Sequence, residues 1–315
     1  MPAFLTTPFV FLFRANFQQQ YLAHLIGAVI VVLTILLVLK IKKKNGLAIW
    51  SGILIGFSSI IWYLSSVGSV WYLGQITAVL FLLLALIESF GKKRPIIVGL
   101  LISMALLSRL QILPSILLFA YLIRNKLDKK NLVGFFAGLS VFVLIYGTYN
   151  FLRFGNVFET GYTLIPGILK EPWFEHGQFS LLNIPNHLKI FLAGMPKFSN
   201  NIPFVYPSWA GLAIWITTPA FIFSLFSPIK NKVNQLSWAV IVLVALINFS
   251  YGSTGFSQFG YRYAVDFYPF LTLLTINGVV NQNGPKWFHW TLLVLGIIVN
   301  LWGVLWINKF GWVSF

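Results

Sequence analysis

Ten stretches of almost uninterrupted apolar residues limit what this chain can fold into. They cover roughly 22–39, 47–64, 70–87, 95–108, 110–123, 131–150, 208–226, 236–251, 263–280 and 287–306. Most approach the ~20 residues that an α-helix needs to cross the ~30 Å hydrocarbon core of a bilayer. With 58% hydrophobic and only 9% charged residues, the chain has the composition of an integral membrane protein.

We therefore predict one all-α membrane domain over residues 1–315, a polytopic transmembrane helical bundle of about ten spans. The stretches 95–108 and 110–123 are short and flank Arg109, so the alternative is that they form a broken or re-entrant pair. The predicted number of spans is accordingly eight to ten. The longest interruption is a single loop over 151–207.

The positive charges follow every second apolar stretch. They lie at Lys40, Lys42, Lys43 and Lys44; Lys92, Lys93 and Arg94; Arg124, Lys126, Lys129 and Lys130; Lys230 and Lys232; and Lys286. Fourteen of the 22 basic residues thus occupy five short loops, which share one side if there are ten crossings. The positive-inside rule makes that side cytoplasmic. Topology and anionic membrane lipids explain the net charge of +16, and we expect no nucleic-acid partner.

This topology predicts a multi-pass protein of the cytoplasmic membrane with both chain ends and the 151–207 loop outside. The first 20 residues lack the pattern of a signal peptide. Their segment PAFLTTPFVFL is interrupted by Pro8, and we expect it to lie at the external membrane interface.

Several kinds of site are disfavoured. The chain has no cysteine, which excludes disulfides and thiolate metal sites, and its four histidines are scattered. We therefore expect no transition-metal site and no certain cofactor. No Walker loop is present and no GxGxxG follows a strand, so a nucleotide-binding domain is not expected.

Four segments together carry a resemblance to a known family. They read SRLQILPSILL from Ser108, YNFLRFGNVFETGY from Tyr149, PSWAGLAIWITTPAFIFSL from Pro207 and FGYRYAVDFYPFL from Phe259. In this combination the chain resembles the polytopic bacterial glycosyltransferases of the GT-C superfamily, which include protein O-mannosyltransferase-like and lipid A aminoarabinose transferase-like enzymes. The resemblance runs over nearly the whole chain, although each motif alone is loose.

The resemblance implies transfer of a sugar from a polyprenyl-phosphate carrier to an extracytoplasmic acceptor. In the family, a catalytic Asp or Glu follows the first transmembrane helix. The first carboxylate of this chain is Glu88, on the predicted cytoplasmic side, so the catalytic residue is unknown. We expect the chain to lack the family's first helix and catalytic loop, through N-terminal truncation or a separately encoded N-terminal half; a pseudoenzyme is the alternative.

Two arginines are candidates for binding the donor phosphate. Arg109 lies near the outer end of a span, where it either meets an anion or snorkels to the headgroups. Arg262 lies between Tyr261 and Tyr263, and its planar fork of donors suits a phosphate. The alternative for the two tyrosines is the aromatic belt of the membrane interface.

Asp266 lies about one turn inside its span, where an ionisable residue is a functional candidate by default. It is four residues from Arg262 and would share its helical face. The leading expectation is therefore a structural ion pair between Arg262 and Asp266, with substrate binding as the alternative.

The 151–207 loop holds weaker candidates, which include three of the six carboxylates, Glu159, Glu171 and Glu175. Glu159 either faces the sugar or acceptor hydroxyls or stabilises the loop. Glu175 and His176 suit acid–base chemistry or a divalent cation, and a solvated loop face is the alternative. Trp173, like Tyr206, Trp209 and Trp215, either stacks on a sugar or anchors the chain at the interface. The amides suit hydroxyl recognition or turns; they are Asn150, Asn183, Asn186, Asn200 and Asn201.

Two other classes of function stay open. A transporter or flippase of lipid-linked sugars would place ionisable residues at the bilayer midplane between repeated halves, and neither feature is found in the sequence. A non-catalytic protein of envelope assembly is the other class. The absence of the family's acidic loop favours it.

Overall fold

The computed structural model describes residues 1–126, 128–159, 161–162, 164–202, 204–256 and 258–309, and nearly all of the regular structure in these ranges is helical. The helices are α1 Pro2–Phe13, α2 Gln19–Lys42, α3 Asn45–Phe57, α4 Ile61–Val67, α5 Val70–Phe90, α6 Pro95–Leu106, α7 Ile116–Ile123, α8 Lys129–Phe154, α9 Ile184–Ala193, α10 Ile214–Thr217, α11 Lys232–Ser250, α12 Tyr268–Asn281 and α13 Trp287–Asn308. Strands β1 (Lys197–Phe198) and β2 (Val205–Tyr206) form one short antiparallel ribbon.

Within the described residues, six helical segments are long and apolar enough to span a membrane. They are α2, α5, α8, α11, α13 and the continuous segment Arg262–Asn281. A seventh span results if α3 and α4, which are bent by 49°, count as one. The prediction of an all-α protein with several membrane-spanning helices is confirmed. The N-terminal segment is helical through Pro8 and mostly exposed, and its 12 residues are too few for a span.

The remaining apolar stretches are shorter and broken. After α6 the chain bends at Leu107–Arg109 and continues as a 3₁₀ segment, Leu110–Ser115, into α7. The stretch 208–226 forms α10 and a 3₁₀ segment, Pro219–Phe226. The break falls at Thr218, whose φ of −142° is not helical, because the ring of a following proline disfavours the α conformation.

The basic loops gather at one end of the bundle, which we call the lysine end (residues 40–44, 91–94, 124–130, 228–232 and 281–286). A Cβ atom at Gly91 would lie 3.0 Å from Cε of Lys40. Lys42 shares a cleft with Asn231 and Asn283. Four of these five loops are thereby in contact or share a cleft.

The fifth loop is placed by the parallel packing of α6 and α8. Ser103 Oγ donates hydrogen bonds of 2.7 Å to the Gly138 carbonyl and 2.9 Å to the Leu139 carbonyl. A Cβ atom at Gly138 would lie only 2.4 Å from the Ile96 carbonyl oxygen, so this crossing requires a glycine. Because both helices start at the same end, residues 128–130 lie at the same end as residues 91–94.

The opposite end, which we call the arginine end, contains Arg109, Arg262 and the long loop. The loop begins after Phe154, where α8 ends, and not at Phe151. It folds back on the end of α11 and the residues after it: the Ser180 amide donates to the Ser250 carbonyl at 2.7 Å, and the Gly252 amide donates to the Gln178 carbonyl at 3.0 Å. The residues after Lys309 in the predicted external tail lie outside the described residues. Which end faces the cytoplasm stays a prediction.

Candidate functional site

Asp266 is the centre of a buried polar cluster at the arginine end. Its carboxylate is fully buried and accepts hydrogen bonds from Arg109 Nε at 3.0 Å and Arg109 Nη2 at 2.8 Å. Asn248 Nδ2 on α11 donates a third, at 3.0 Å. This geometry ties the break after α6 to the start of the Arg262–Asn281 span.

The predicted ion pair between Arg262 and Asp266 is wrong. Residues Arg262–Phe267 form a 3₁₀ segment, in which three residues complete a turn. Residues four apart therefore do not share a face, as they would in an α-helix. The carboxylate pairs instead with Arg109, whose side chain is 18% exposed. Arg109 was expected either to meet an anion or to snorkel to the headgroups. It meets an anion, and that anion is the Asp266 carboxylate of the protein itself.

Arg262 is buried without a counter-ion within the part of the chain that the structure describes. The residue is 8% exposed, and its Nε has no hydrogen-bond partner. The guanidinium carbon lies 5.0 Å from the centre of the Tyr263 ring and 5.6 Å from that of Tyr72. Cation–π contacts of this kind stabilise a cation by ~0.5–2 kcal/mol but do not satisfy its N–H donors. The cluster therefore keeps a buried guanidinium donor that no described residue satisfies.

Gln75 on α5 fixes the backbone beneath this arginine. Its Nε2 donates to the Arg262 carbonyl at 2.8 Å, while its buried Oε1 has no partner among the described residues. Tyr263 connects the two arginines, since the Arg109 guanidinium also lies over its ring, at 5.9 Å. The predicted grouping of Arg109, Arg262 and Tyr263 is therefore compact in space.

Tyr261 has a different environment from Tyr263. Its ring is 1% exposed, and its hydroxyl lies 2.6 Å from Nδ1 of His187 on α9. His187 Nε2 lies 2.8 Å from the Tyr251 carbonyl. A carbonyl only accepts, so Nε2 carries the proton and Nδ1 accepts from Tyr261. Burial lowers the pKa of His187 to about 4, so its ring is neutral at pH 7. Tyr261 thus connects the loop to the bundle through its hydroxyl.

Three loop candidates line a single cleft of about 410 Å³. They are Trp173, Glu175 and His176. The other lining residues are Pro172, Leu182, Asn183, Asn186, Trp209, Gly252, Ser253, Thr254, Gly255 and Phe256. Trp173 and Trp209 are 47% and 57% exposed, and Trp209 meets Phe256 edge to face at 4.6 Å. Open aromatic faces beside a carboxylate, an imidazole and amides suit hydroxyl-rich ligands.

The cleft lies next to the arginine cluster. Its Gly252 follows Tyr251, and the Tyr251 and Tyr263 rings are 6.3 Å apart. The Tyr263 ring is in turn the one that both guanidinium groups contact. The cleft residues Trp173, Glu175 and His176 are thus brought near Arg262, which follows them by more than 80 residues in the sequence.

Other candidates stabilise the loop. Glu159 Oε1 accepts from the Gly161 amide at 2.7 Å, which closes a turn. Asn150 Nδ2 donates to the Val157 carbonyl at 3.1 Å, and Asn183 Nδ2 to the Ser250 carbonyl at 3.0 Å. Tyr206 stacks against Trp306 rather than lining the cleft. Within the described ranges, no group of three or more His, Cys, Asp or Glu could hold a metal ion.

Some residues of the cluster were missed by sequence reasoning. Gln75 and Asn248 are polar side chains inside apolar spans, and that signal alone could have singled them out. His187 gave no such signal, because nothing in its neighbourhood marks it as buried. Tyr72 was also missed, and its ring contacts the Arg262 guanidinium.

The chain matches no protein-family model, and searches of curated proteins and of solved structures gave no match.

Proposed function

We propose that this protein is a membrane glycosyltransferase, or part of one, that takes a sugar from a polyprenyl-phosphate-linked donor and delivers it to an extracytoplasmic acceptor. The observation that carries the proposal is the buried Arg262, whose Nε has no partner among the described residues. A buried guanidinium without an anion is costly, and a phosphate with its several acceptor oxygens would satisfy it.

The arrangement suggests separate roles for the two arginines. Arg109 is held by Asp266, so its role is to orient the cluster, since the pair is neutral as a whole. Arg262 is the donor that contacts the phosphate. Tyr263 lies against both guanidinium groups and holds them near one another.

The adjoining cleft is the proposed site for sugar or acceptor hydroxyls. Trp173 and Trp209 offer aromatic faces on which a sugar ring stacks. Glu175 and His176 line the same cleft and are the proposed acid–base pair, alone or with a divalent cation. Glu159 is no longer favoured as a substrate ligand, since its carboxylate holds a turn.

We also propose ten crossings, with the arginine end outside. The chain passes from the lysine end to the arginine end between Arg94 and Arg109, and it returns to the lysine end by Arg124. Helix α8 then takes the chain to the arginine end once more. The chain returns to the lysine end between Leu212, which bridges to Gly260, and Asn231, which lines the same cleft as Lys42. These contacts support two short crossings before α8 and one before α11. The charge rule supports the orientation in the cytoplasmic membrane.

A second candidate is a non-catalytic protein that binds or moves lipid-linked sugars. The carboxylate nearest to the open guanidinium in sequence, Asp266, is occupied by Arg109 and Asn248 and is not free to act as a base. A binding assay and a transfer assay distinguish the two candidates.

The test is binding of polyprenyl phosphate to the purified protein in phosphatidylcholine nanodiscs. Arg262→Ala should weaken binding roughly 10- to 100-fold, because hydrogen bonds to charged groups contribute ~1.5–3 kcal/mol. The matched control is Arg153→Ala, which removes an exposed arginine at the same end. Equal affinities of the two variants would remove Arg262 from the donor site.

Transfer is then measured with a polyprenyl-phosphate-linked sugar, supplying a separately encoded N-terminal half if one is identified. Loss of transfer in Glu175→Gln with unchanged donor binding supports the enzyme. Donor binding without transfer under all conditions supports the second candidate.

A further inference from the structure

The lysine end holds a cleft that the proposed transfer reaction does not use. Two adjoining cavities of about 320 and 280 Å³ lie between the ends of α2, α5 and α12 and the start of α11. Both are lined by Lys42, Asn231 and Asn277. Lys40 lines the first, while Asn234, Asn281 and Asn283 line the second.

The cleft is positively charged without compensation. The described residues contain two ion pairs, Arg94 with Glu88 and Arg109 with Asp266, and neither involves Lys40 or Lys42. No carboxylate lines either cavity. The acid that precedes this end, Glu88, accepts from Arg94 Nε and Nη2 at 2.9 Å each. Two ammonium groups therefore face a space with no protein anion.

The asparagines form an organised wall. Asn234 is fully buried; its Oδ1 accepts from Asn277 Nδ2 at 2.7 Å, and its own Nδ2 donates to the Pro228 carbonyl at 2.9 Å. Asn231 Oδ1 accepts from the Val233 amide at 2.9 Å, which leaves its Nδ2 as a donor that no described residue uses. Lysine ammoniums and amide N–H groups are donors that suit phosphate oxygens.

The other wall is apolar. Ile41, Phe90, Val233 and Leu273 line the first cavity beside Lys40 and Lys42. A free phosphate ion gains nothing from contact with an apolar wall. A phospholipid does, because its hydrocarbon chains begin near its phosphate and can pack against that wall. Basic pockets between transmembrane helices at the cytoplasmic side are known to suit anionic lipid headgroups.

We propose that this cleft binds the phosphate group of an anionic lipid. Lys40 and Lys42 bind the phosphate, the asparagine wall orients it, and the first acyl carbons lie against Phe90 and Leu273. The site is independent of the proposed donor site, because α2, with 24 residues, separates the two ends by ~36 Å at ~1.5 Å per residue.

The test is a titration of the purified full chain in detergent micelles with phosphatidylglycerol, with phosphatidylcholine and with inorganic phosphate, followed by native mass spectrometry. Phosphatidylglycerol should bind with an affinity that phosphatidylcholine does not reach. Lys42→Gln should weaken it about fivefold and Lys40→Gln/Lys42→Gln roughly 25-fold, since each lysine near a membrane surface contributes ~1 kcal/mol and ~1.4 kcal/mol is tenfold.

Two controls make the result specific. Lys130→Gln removes an exposed lysine of the same end outside the cleft and should change the affinity less than about twofold. Lys42→Arg keeps the charge and should retain most of the binding. Both substitutions lie at exposed or half-buried positions, so an unchanged thermal midpoint is expected.

Equal losses in Lys42→Gln and Lys130→Gln would overturn the proposal, because binding would then follow net charge and not the cleft. Displacement of the lipid by millimolar inorganic phosphate would confirm the phosphate subsite. Binding of inorganic phosphate without any binding of phosphatidylglycerol would overturn the lipid as its ligand.

Discussion

The two ends of the bundle differ in how far their positive charges are buried. At the arginine end, the partly buried Arg109 and the buried Arg262 lie among groups that come from α5, α11 and two separate breaks in the helices. At the lysine end, most cations lie on short connecting loops with their charge in solvent. A buried charge requires partners or a ligand, whereas an exposed lysine requires neither. The difference indicates where the molecule can recognise an anion tightly.

The residue types fit this difference. A guanidinium is planar, always charged and able to stack on aromatic rings, and both arginines lie over Tyr263. An ammonium is strongly hydrated and stays near water, as Lys40 does. Positive charge is therefore packed against aromatic rings at the arginine end and largely solvated at the lysine end.

Breaking the buried pair should give the largest effect. Asp266→Asn leaves the Arg109 guanidinium buried without its anion, and such losses cost ~3–5 kcal/mol. We expect that decrease in the free energy of unfolding, measured by denaturation with dodecyl sulfate in mixed micelles. A loss below 1 kcal/mol would mean that the arginine end is hydrated enough to replace the carboxylate.

Acidification should loosen the long loop at the arginine end. The unfolded loop protonates His187 near its ordinary pKa of 6.5, and the folded loop only near about 4. Between these values the unfolded state binds more protons, so stability falls as the pH is lowered, by up to ~3 kcal/mol at ~1.4 kcal/mol per pKa unit.

Hydrogen exchange of residues 179–194 between pH 7.5 and 4.5 checks this prediction. His187→Gln should abolish this contribution to the pH dependence, because an amide does not titrate in this range. The amide can still donate and accept hydrogen bonds, so the loop should stay folded. His176→Gln, at an exposed position in the same loop, should behave as the unsubstituted chain. Identical pH profiles in all three proteins would contradict the prediction.

Replacing the unpaired arginine should change stability little. Arg262→Met removes cation–π contacts of ~0.5–2 kcal/mol and also an unsatisfied donor that costs ~1–3 kcal/mol. We expect the free energy of unfolding to stay within ~1 kcal/mol while binding of polyprenyl phosphate is lost. A collapse in stability as large as that of Asp266→Asn would assign Arg262 a structural role.

The smallest effect is expected at the lysine end. The ion pair of Glu88 with Arg94 is partly exposed, with 51% of the arginine side chain accessible. Glu88→Gln should cost no more than ~0.2–1 kcal/mol in the same denaturation assay, because solvent screens such pairs. A cost comparable to that of Asp266→Asn would remove the distinction between the two ends.

Much of the fold could be read from local patterns. Long apolar runs predict membrane-spanning helices, and α2, α5, α8, α11 and α13 lie where those runs lie. The alternate basic loops predict two ends, and the contacts of Lys40 and Gly138 bring those loops together. Breaks also had local signals: Pro219 bends its stretch, and the bend after α6 falls at Leu107–Arg109, before a 3₁₀ segment that contains Pro114.

The candidate site was predictable in its residue types but not in its pairings. Arg109, Arg262 and Asp266 could be selected because ionisable residues within or next to apolar spans are rare, and Tyr263 because it adjoins Arg262. Their arrangement depended on a 3₁₀ turn, which a helical periodicity of 3.6 does not anticipate.

By itself, then, the sequence determined that this chain lies in a membrane and that its charges divide between two faces, because burial in hydrocarbon and the cost of charge act on each segment separately. Only the tertiary structure decided that Asp266 pairs with Arg109, that Arg262 has no counter-ion among the described residues, and that the Trp173 cleft adjoins them. These relations join residues far apart in the chain, and a local pattern carries no information about which distant side chain will complete a buried charge.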